Sequence, residues 1–139
     1  MTIDRVHVAV EGPVDDAELD AVHASAFGSG PAGVPWNRRL RHHSLFWVTA
    51  RSGDKLVGFV NVIGDGGAHA VLLDTCVSPD RQGEGIGREL VRVAAQEARH
   101  RGSRWLHADY LSEHASFYED ACGLRPTRAG LLDLTPSTS

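Results

Sequence analysis

Residues 77–90 read VSPDRQGEGIGREL, with glycine at every second position from Gly83 to Gly87. Pro79 ends the apolar run before this segment, and apolar residues at helical spacing from Ile86 predict a long helix after it. The first amides of a helix have no partner within it, and the helix dipole adds about half a positive charge there. Phosphate oxygens approach a backbone most closely where Cβ atoms are absent. The segment therefore indicates a pyrophosphate-binding turn.

The elements around this turn are predicted from hydrophobic patterning. Three runs rich in β-branched and aromatic residues precede it, joined by short glycine-containing connections typical of antiparallel hairpins. A strand and two helices come before those runs, and a glycine- and proline-rich loop separates the two helices. The predicted strands are 3–10, 45–50, 56–63, 68–77, 104–108 and 124–134, the last broken near Gly130, and the predicted helices are 14–27, 36–43, 86–101 and 113–122.

The composition is that of an ordinary globular protein. The chain has 139 residues, 42% apolar and 23% charged, and 14 basic against 18 acidic side chains give a formal charge of −4. We therefore expect a single domain over residues 1–139. The acidic balance, with Lys55 as the only lysine, argues against a nucleic-acid partner, and no apolar run is long enough to span a membrane. The expected location is cytoplasmic.

The Cys and His residues do not predict a metal site. Cys76 and Cys122 form no Cys-x-x-Cys pair, and we expect them to be buried thiols. Of the eight His, only His42 and His43 are adjacent, and no His-Glu-x-x-His is present. Isolated histidines such as His23 are expected at the surface or at helix ends.

Two common phosphate motifs do not fit the glycine turn. The dinucleotide fingerprint needs Gly-x-Gly-x-x-Gly, and the nucleoside-triphosphate loop needs Gly-Lys-Ser/Thr, which does not occur at Gly87. Instead, Gln82-x-x-Gly85-x-Gly87, preceded by Val77-x-Pro79 at a strand end, resembles the acyl-CoA-binding motif of the GNAT superfamily of N-acetyltransferases. The resemblance extends from the first predicted strand to the last short helix.

The resemblance implies an α+β fold with a central mixed, twisted sheet of about six to seven strands flanked by about four helices. The sheet would splay open beside the fourth strand, so that the pantetheine arm of acetyl-CoA, the implied cosubstrate, pairs there like an added strand. Its pyrophosphate would lie on the glycine turn, with further positive charge from two arginines. The residues implied to bind it are Cys76, Val77, Arg81, Gln82, Gly83, Glu84, Gly85, Ile86, Gly87 and Arg88.

The resemblance also implies a proton donor for the departing thiolate in the last helix. Family members carry a Tyr in a Phe/Leu-Tyr-x-x-x-Gly-Phe segment, and residues 117–124, FYEDACGL, are similar. Four residues rather than three separate Tyr118 from Gly123, so alignment on the glycine puts Glu119 in the place of the Tyr. One extra residue turns a helix by about 100°, unless it is inserted after the helix. Tyr118 is the predicted acid, and packing beneath the sheet is the alternative.

Asp74 is the predicted general base, because it interrupts an apolar run and a buried carboxylate is costly unless it is hydrogen-bonded or functional. Strand alternation would place it on the face of Leu72 and Cys76. A carboxylate that ties down a neighbouring loop, or proton removal through water, are the alternatives. Asp109, which would share a strand face with His107, is a predicted substrate-binding residue.

Aromatic residues complete the predicted acceptor pocket. Trp36 follows the glycine-rich loop and is predicted to wall the pocket, whereas Trp47 is predicted to pack in the core. His69, which opens the fourth strand, is predicted to make a structural hydrogen bond. The acidic residues expected at the mouth of the pocket favour a small cationic amine.

The sequence and the resemblance together predict transfer of an acetyl group from acetyl-CoA to a primary amine, by direct attack in a ternary complex. The alternative is a non-catalytic acyl-CoA sensor that kept the phosphate turn and lost the proton transfers. A nucleotide-binding regulator is a third hypothesis. The expected partners are CoA and a small-molecule amine, and a second subunit could cover the edge left by the C-terminal β segment to give a homodimer.

Overall fold

The computed structural model describes residues 5–137, and its elements follow the predicted order. The strands are β1 Val6–Val10, β2 Phe46–Ser52, β3 Lys55–Gly64, β4 His69–Val77 and β5 Trp105–Ala108. The helices are α1 Asp16–Ala26, α2 Trp36–His43 and α3 Ile86–His100, followed by a π helix at Ser116–Ala121. Short 3-10 turns lie at Pro79–Arg81 and Ser112–His114.

The five strands form one mixed sheet in the order β1-β2-β3-β4-β5. Strands β1 to β4 are antiparallel neighbours, as the short hairpin connections predict. Strand β5 pairs in parallel with β4, because α3 carries the chain back across the sheet between them. The predicted α+β architecture with a mixed sheet is therefore confirmed.

The helices cover both faces of the sheet. On one face α3 lies directly on β3, since a Cβ atom at Gly58 would come within 3.0 Å of Leu90 Cδ1 and 3.1 Å of Ile86 Cγ2. On the other face α1 and α2 contribute to a buried cluster with residues of β3 and β4. The members of this cluster are Leu19, Trp36, Leu40, Leu56, Phe59 and Cys76.

Polar side chains fix the glycine-rich loop between α1 and α2. The buried Asp20 carboxylate accepts a hydrogen bond from the Gly33 N–H at 2.8 Å. The Asn37 side chain donates to the Asp16 carboxylate at 2.7 Å and to the Val14 carbonyl at 2.8 Å. These bonds tie the middle of α1 to the loop, and they tie α2 directly to the start of α1.

The pairing between β4 and β5 stops before β4 ends. The register runs from His69 opposite Trp105 to Leu72 opposite Ala108. Residues 73–77 of β4 continue along β3, and among residues 5–137 no strand pairs with them on the other side. The sheet thus opens beside its fourth strand, as the predicted splay requires.

The chain divides into two compact units, residues 1–108 and 109–139. The predicted β segment at 124–134 is wrong, because the structure has no strand there. Leu131, Leu132 and Leu134 are each at least 82% exposed. A β-strand is stabilised by hydrogen bonds to a neighbouring strand, and this segment has none within residues 5–137. The described part of the sheet therefore has five strands rather than six or seven.

Within residues 5–137 no helix is long and apolar enough to cross a membrane.

Candidate functional site

The glycine turn before α3 has a backbone that only glycine adopts easily. Gly83 has φ +81° and Gly85 has φ +86°, and both lie in the left-handed region. A Cβ atom at either position would meet no protein atom within 4 Å. These glycines are therefore required by the backbone conformation, and the space above them is open to a ligand.

The N-terminus of α3 adds backbone donors to this turn that have no partner within residues 5–137. Gly85 is the N-cap residue, and its carbonyl accepts the first helical hydrogen bond from the Glu89 N–H at 3.1 Å. The amides of Ile86, Gly87 and Arg88 come before that bond, and Gly85 has no side chain with which to cap them. This end of α3 can therefore accept an anion.

The charges at the turn are partly neutralised within the protein. Arg81 Nε donates to both oxygens of the Glu84 carboxylate, at 3.2 and 3.0 Å. Arg92 pairs with Glu89 at 2.6 Å, and the hydrogen bond from Arg92 lowers the pKa of Glu89. The Gln82 side chain donates to the Val77 carbonyl at 3.2 Å and so links the turn to the end of β4.

A β-bulge interrupts β4 at Asp74. Asn61 pairs with Leu73 and Phe59 pairs with Cys76, so Asp74 and Thr75 together face one residue of β3. Asp74 has φ +58°, a left-handed conformation that is uncommon outside glycine. Such strained backbone is often found at functional sites.

The bulge corrects the predicted side-chain alternation of β4. Leu72 is opposite Val62, on the sheet face that carries α3, whereas Cys76 is opposite Phe59 in the cluster on the α1 and α2 face. Leu72 and Cys76 therefore lie on opposite faces, because the extra residue at the bulge reverses the alternation. The Asp74 side chain reaches α1 on the Cys76 face.

Asp74 is hydrogen-bonded to His23 of α1, a contact that the sequence did not predict. The His23 Nε2 atom is 3.1 Å from Asp74 Oδ1, and each side chain is 26% exposed. The His23 ring also packs against Phe27 and Trp36, with centroid distances of 4.6 and 5.0 Å. Helical spacing in the sequence could have placed His23 toward the core, because it follows the fully buried Leu19 by four residues and lies on the same face of α1.

The Cys76 thiol is not suited to covalent catalysis. Cys76 is 3% exposed, and burial, with a smaller contribution from the Asp74 charge, raises the pKa of its thiol to about 12. Nucleophilic attack requires the thiolate, so this side chain is a packing residue at neutral pH.

Trp36 lies in the core rather than on an open pocket wall. It is 1% exposed and packs edge-on against Phe59 at a centroid distance of 5.7 Å. This burial contradicts the predicted role of Trp36 in walling the acceptor pocket. Trp36 is the first residue of α2, and its indole points into the core. The Trp36 Nε1 atom is buried without a hydrogen-bond partner in the described part of the chain. Trp47 packs against the core, as predicted.

The unit that starts at Asp109 contains the predicted acid, Tyr118, next to a second tyrosine. The two phenol rings of Tyr118 and Tyr110 are stacked at 4.8 Å with an interplanar angle of 22°. The Tyr110 hydroxyl donates to the Glu119 carboxylate at 2.9 Å, and this hydrogen bond raises the pKa of Tyr110.

The short predicted helix at 113–122 forms as a π helix. The Cys122 N–H donates to the Phe117 carbonyl, five residues earlier, at 3.0 Å. A π turn holds one residue more than an α turn, and such turns are frequent at functional sites. Tyr118 and the three residues after it lie within this π helix, and the role of Tyr118 stays a prediction.

The predicted placement of Asp109 on a strand face beside His107 is wrong. Strand β5 ends at Ala108, so alternation does not extend to Asp109. The His107 Nε2 atom instead lies 2.8 Å from Nδ1 of His69 on the neighbouring strand. The predicted structural hydrogen bond of His69 is confirmed by this contact.

No group of three or more metal-ligating side chains comes together within residues 5–137. The site that the described residues form is instead an open stretch of β4 edge, residues 73–77, leading into a glycine turn with unpaired amides. This arrangement can bind an extended amide-containing chain along the strand and an anion at the turn.

Comparison with known proteins gives matches along most of the chain. Residues 16–124 match the family model of the acetyltransferase (GNAT) family. A mycothiol acetyltransferase of Nocardia farcinica is 33% identical over 108 residues, which are 72% of this chain and 34% of that protein. The chain thus spans about a third of the length of this curated relative.

Solved structures share the fold. A protein of unknown function from meticillin-resistant Staphylococcus aureus, described as a probable acetyltransferase, has a TM-score of 0.76 at 23% identity, covering 94% of this chain and 100% of its own. A GNAT family acetyltransferase from Brucella melitensis, solved in complex with acetyl-CoA, has a TM-score of 0.64 at 23% identity, covering 83% of this chain and 82% of its own. At these identities the likeness is one of fold.

Proposed function

Because the chain belongs to the acetyltransferase (GNAT) family, we propose that it transfers the acetyl group of acetyl-CoA to a primary amine. The observation that carries this proposal is the segment 73–77 of β4, which pairs with β3 on one side but with no strand of residues 5–137 on the other, and which runs into the glycine turn of α3. A single ligand that combines an extended amide chain with a diphosphate fits both features at once. Coenzyme A contains both groups, an extended amide chain in its pantetheine arm and a diphosphate.

The diphosphate would be held by backbone amides. The amides of Ile86, Gly87 and Arg88 precede the first helical hydrogen bond, and Gly83 and Gly85 leave open space above the turn. Hydrogen bonds from neutral amides to a charged phosphate are each worth roughly 1.5–3 kcal/mol. Two or three such bonds supply a large part of the affinity expected for this half of the ligand.

The pantetheine arm would pair with β4. Residues 73–77 include Cys76 and Val77, and the Val77 carbonyl already accepts a hydrogen bond from Gln82. Main-chain groups at an open strand edge can bind the amides of an extended ligand as they would bind another strand. This pairing would leave the thioester beside the bulge at Asp74.

The reaction is proposed to be direct, without an acetylated enzyme. The Cys76 thiol has its pKa raised to about 12 and is therefore protonated at neutral pH, which makes it unsuited as a nucleophile. The acceptor amine would attack the thioester carbonyl within the ternary complex. The role of Tyr118 as the acid that protonates the departing thiolate stays a prediction.

The acceptor is proposed to be a small cationic amine. The predicted acidic residues are Asp74, which contacts His23, together with Asp109 and Glu113. The role of Asp109 in substrate binding stays a prediction. The curated relative is a mycothiol acetyltransferase, but this chain spans about a third of it, so that acceptor is one member of the panel to test. The cytoplasmic location, the single domain over residues 1–139 and a homodimer likewise stay predictions.

Calorimetry and thiol release together test the proposed function. Acetyl-CoA and CoA should bind, ATP should bind more weakly than either, and CoA thiol should appear when polyamines, aminoglycosides or amino sugars are added. Absence of CoA binding would overturn the proposal. Binding without thiol release for any amine would indicate the non-catalytic sensor instead.

A further inference from the structure

We propose that His23 is the general base that removes a proton from the acceptor ammonium, and that Asp74 positions it. This inference rests on the proposed acetyl transfer and assigns one of its proton-transfer groups. From its sequence context, Asp74 itself is the predicted base. The structure instead places an imidazole between that carboxylate and the aromatic side chains of α1 and α2.

The position of the pair is fixed from both sides. Asp74 is in the left-handed region at φ +58°, in the part of β4 that has no pairing to β5. His23 is on α1, and its ring packs against Phe27 and Trp36, with centroid distances of 4.6 and 5.0 Å. Strained backbone of this kind persists only where the surroundings hold it, so the bulge presents Asp74 to His23.

The hydrogen bond determines which nitrogen of His23 can act as a base. An ionised carboxylate only accepts hydrogen bonds, so in the neutral form of the imidazole the proton lies on Nε2, which faces Asp74 Oδ1 at 3.1 Å. The lone pair is then on Nδ1, for which the structure gives no hydrogen bond within residues 5–137. A carboxylate that orients an imidazole in this way also stabilises the imidazolium formed when Nδ1 takes up a proton.

The charged and titratable groups around His23 come from α1, α2 and β4. Asp74 on β4 is its hydrogen-bond partner, and Asp20, one turn earlier on α1, is a second acidic group, although its carboxylate is bonded to the Gly33 N–H. On α2 the Arg39 guanidinium stacks on the ring of Trp36 at 5.2 Å. The remaining titratable neighbour on β4, Cys76, stays a neutral thiol.

The proposed step balances as follows. The acceptor R–NH₃⁺ transfers one proton to Nδ1 of His23, and the freed nitrogen electron pair forms the C–N bond to the acetyl carbon. The electron pair of the breaking C–S bond leaves with the CoA sulfur. The second proton leaves the nitrogen as the amide forms and balances the proton that the CoA thiolate takes up, so that the products are the N-acetyl compound, the CoA thiol and one proton released through His23.

A purely structural tie between α1 and β4 is the competing interpretation, and kinetics separate the two. The variants are His23→Gln, Asp74→Asn and the double variant, with His69→Gln as the control, since His69 also makes a side-chain contact from β4. Acetyl-CoA affinity, measured by calorimetry, reports whether each variant is folded. His23→Gln should lower kcat about 10²- to 10⁴-fold while acetyl-CoA affinity stays within about twofold of the wild-type value.

Three further readouts apply to the chemical role alone. The fall of kcat/KM on the acid side of the wild-type pH profile should disappear in His23→Gln. Imidazole added to His23→Ala should restore part of kcat. The double variant should be no slower than His23→Gln, because the two residues act as one unit. His69→Gln should retain the wild-type rate and pH profile.

The outcomes distinguish this inference from the proposed function. If the wild type transfers acetyl and His23→Gln keeps its kcat and pH profile, His23 is not the base and the proposed function stands. A loss of kcat that follows a loss of acetyl-CoA affinity, with no rescue by imidazole, would assign the pair a structural role. If the wild type binds acetyl-CoA but acetylates no amine, the proposed function fails and the inference fails with it.

Discussion

Replacement of Gly85 by Ala separates the two reasons for a glycine at the start of α3. Gly85 has φ +86°, and the left-handed conformation costs an L-residue about 1–2 kcal/mol. The new Cβ meets no protein atom within 4 Å, so no further cost arises within the protein. We therefore expect stability to fall by about 1 kcal/mol, or Tm by roughly 3–5 °C.

Binding of CoA should fall by more than this strain explains. A methyl group above the turn would displace the phosphate from the amides of the helix start, and loss of one charge-assisted hydrogen bond costs about 1.5–3 kcal/mol. The affinity for CoA should therefore fall about 10- to 100-fold. Calorimetry with CoA, together with thermal unfolding of the free protein, measures both effects.

Gly102→Ala is the matched control. Gly102 lies just after the other end of α3, has φ +97°, and a Cβ there also meets no atom within 4 Å. Both variants should lose similar stability, whereas only Gly85→Ala should lose CoA affinity. Equal CoA affinity in Gly85→Ala and Gly102→Ala would refute the assignment of the turn to phosphate.

Three other perturbations follow from the site. Glu84→Gln removes a negative charge from the turn, so CoA should bind about 2- to 5-fold more tightly in calorimetry; weaker binding would show that the ion pair with Arg81 shapes the turn. Because burial raises the pKa of the Cys76 thiol from 9.0 to about 12, the unfolded chain ionises first as the pH rises. Urea unfolding should therefore show that the wild type loses stability between pH 9 and 12 relative to Cys76→Ala, and parallel curves would contradict the shift. Tyr118→Phe should lower kcat about 10²-fold or more if Tyr118 is the acid, while Tyr110→Phe should not; equal rates for the two variants would remove Tyr118 from the reaction.

The regular elements were predictable because their patterns are local. The boundaries of α2 at Trp36–His43 match the prediction, and the meander of β2, β3 and β4 follows from β-branched runs joined by short glycine turns. The long amphipathic helix α3 and its glycine turn were likewise visible in the sequence. These features depend on side chains close together in the chain, so hydrophobic spacing was sufficient to find them.

The chemistry around Asp74 was not predictable in the same way. The bulge depends on the register between β3 and β4, and a single extra residue reverses the faces of Leu72 and Cys76 without any turn-forming residue to signal it. The contact with His23 joins residues 51 positions apart. Trp36 was misplaced because its position after a loop suggested a surface, whereas the apolar cluster draws the indole inward.

The secondary structure of the C-terminal region was predicted wrongly for a different reason. The leucines at 131, 132 and 134 have strand-like composition, but strand formation depends on a neighbour that the patterning of one segment cannot reveal. The π helix at Ser116–Ala121 likewise differs from an α helix by one residue per turn, which hydrophobic spacing over so few residues does not resolve.

The open edge of β4 at residues 73–77 should also affect how the protein behaves in solution. Unpaired N–H and C=O groups of a strand do not discriminate between the amides of a small molecule and those of another polypeptide. A ligand that occupies this edge would compete with self-association, so the supply of that ligand would control colloidal stability as well as turnover. Purification in its presence should accordingly give the less aggregated sample.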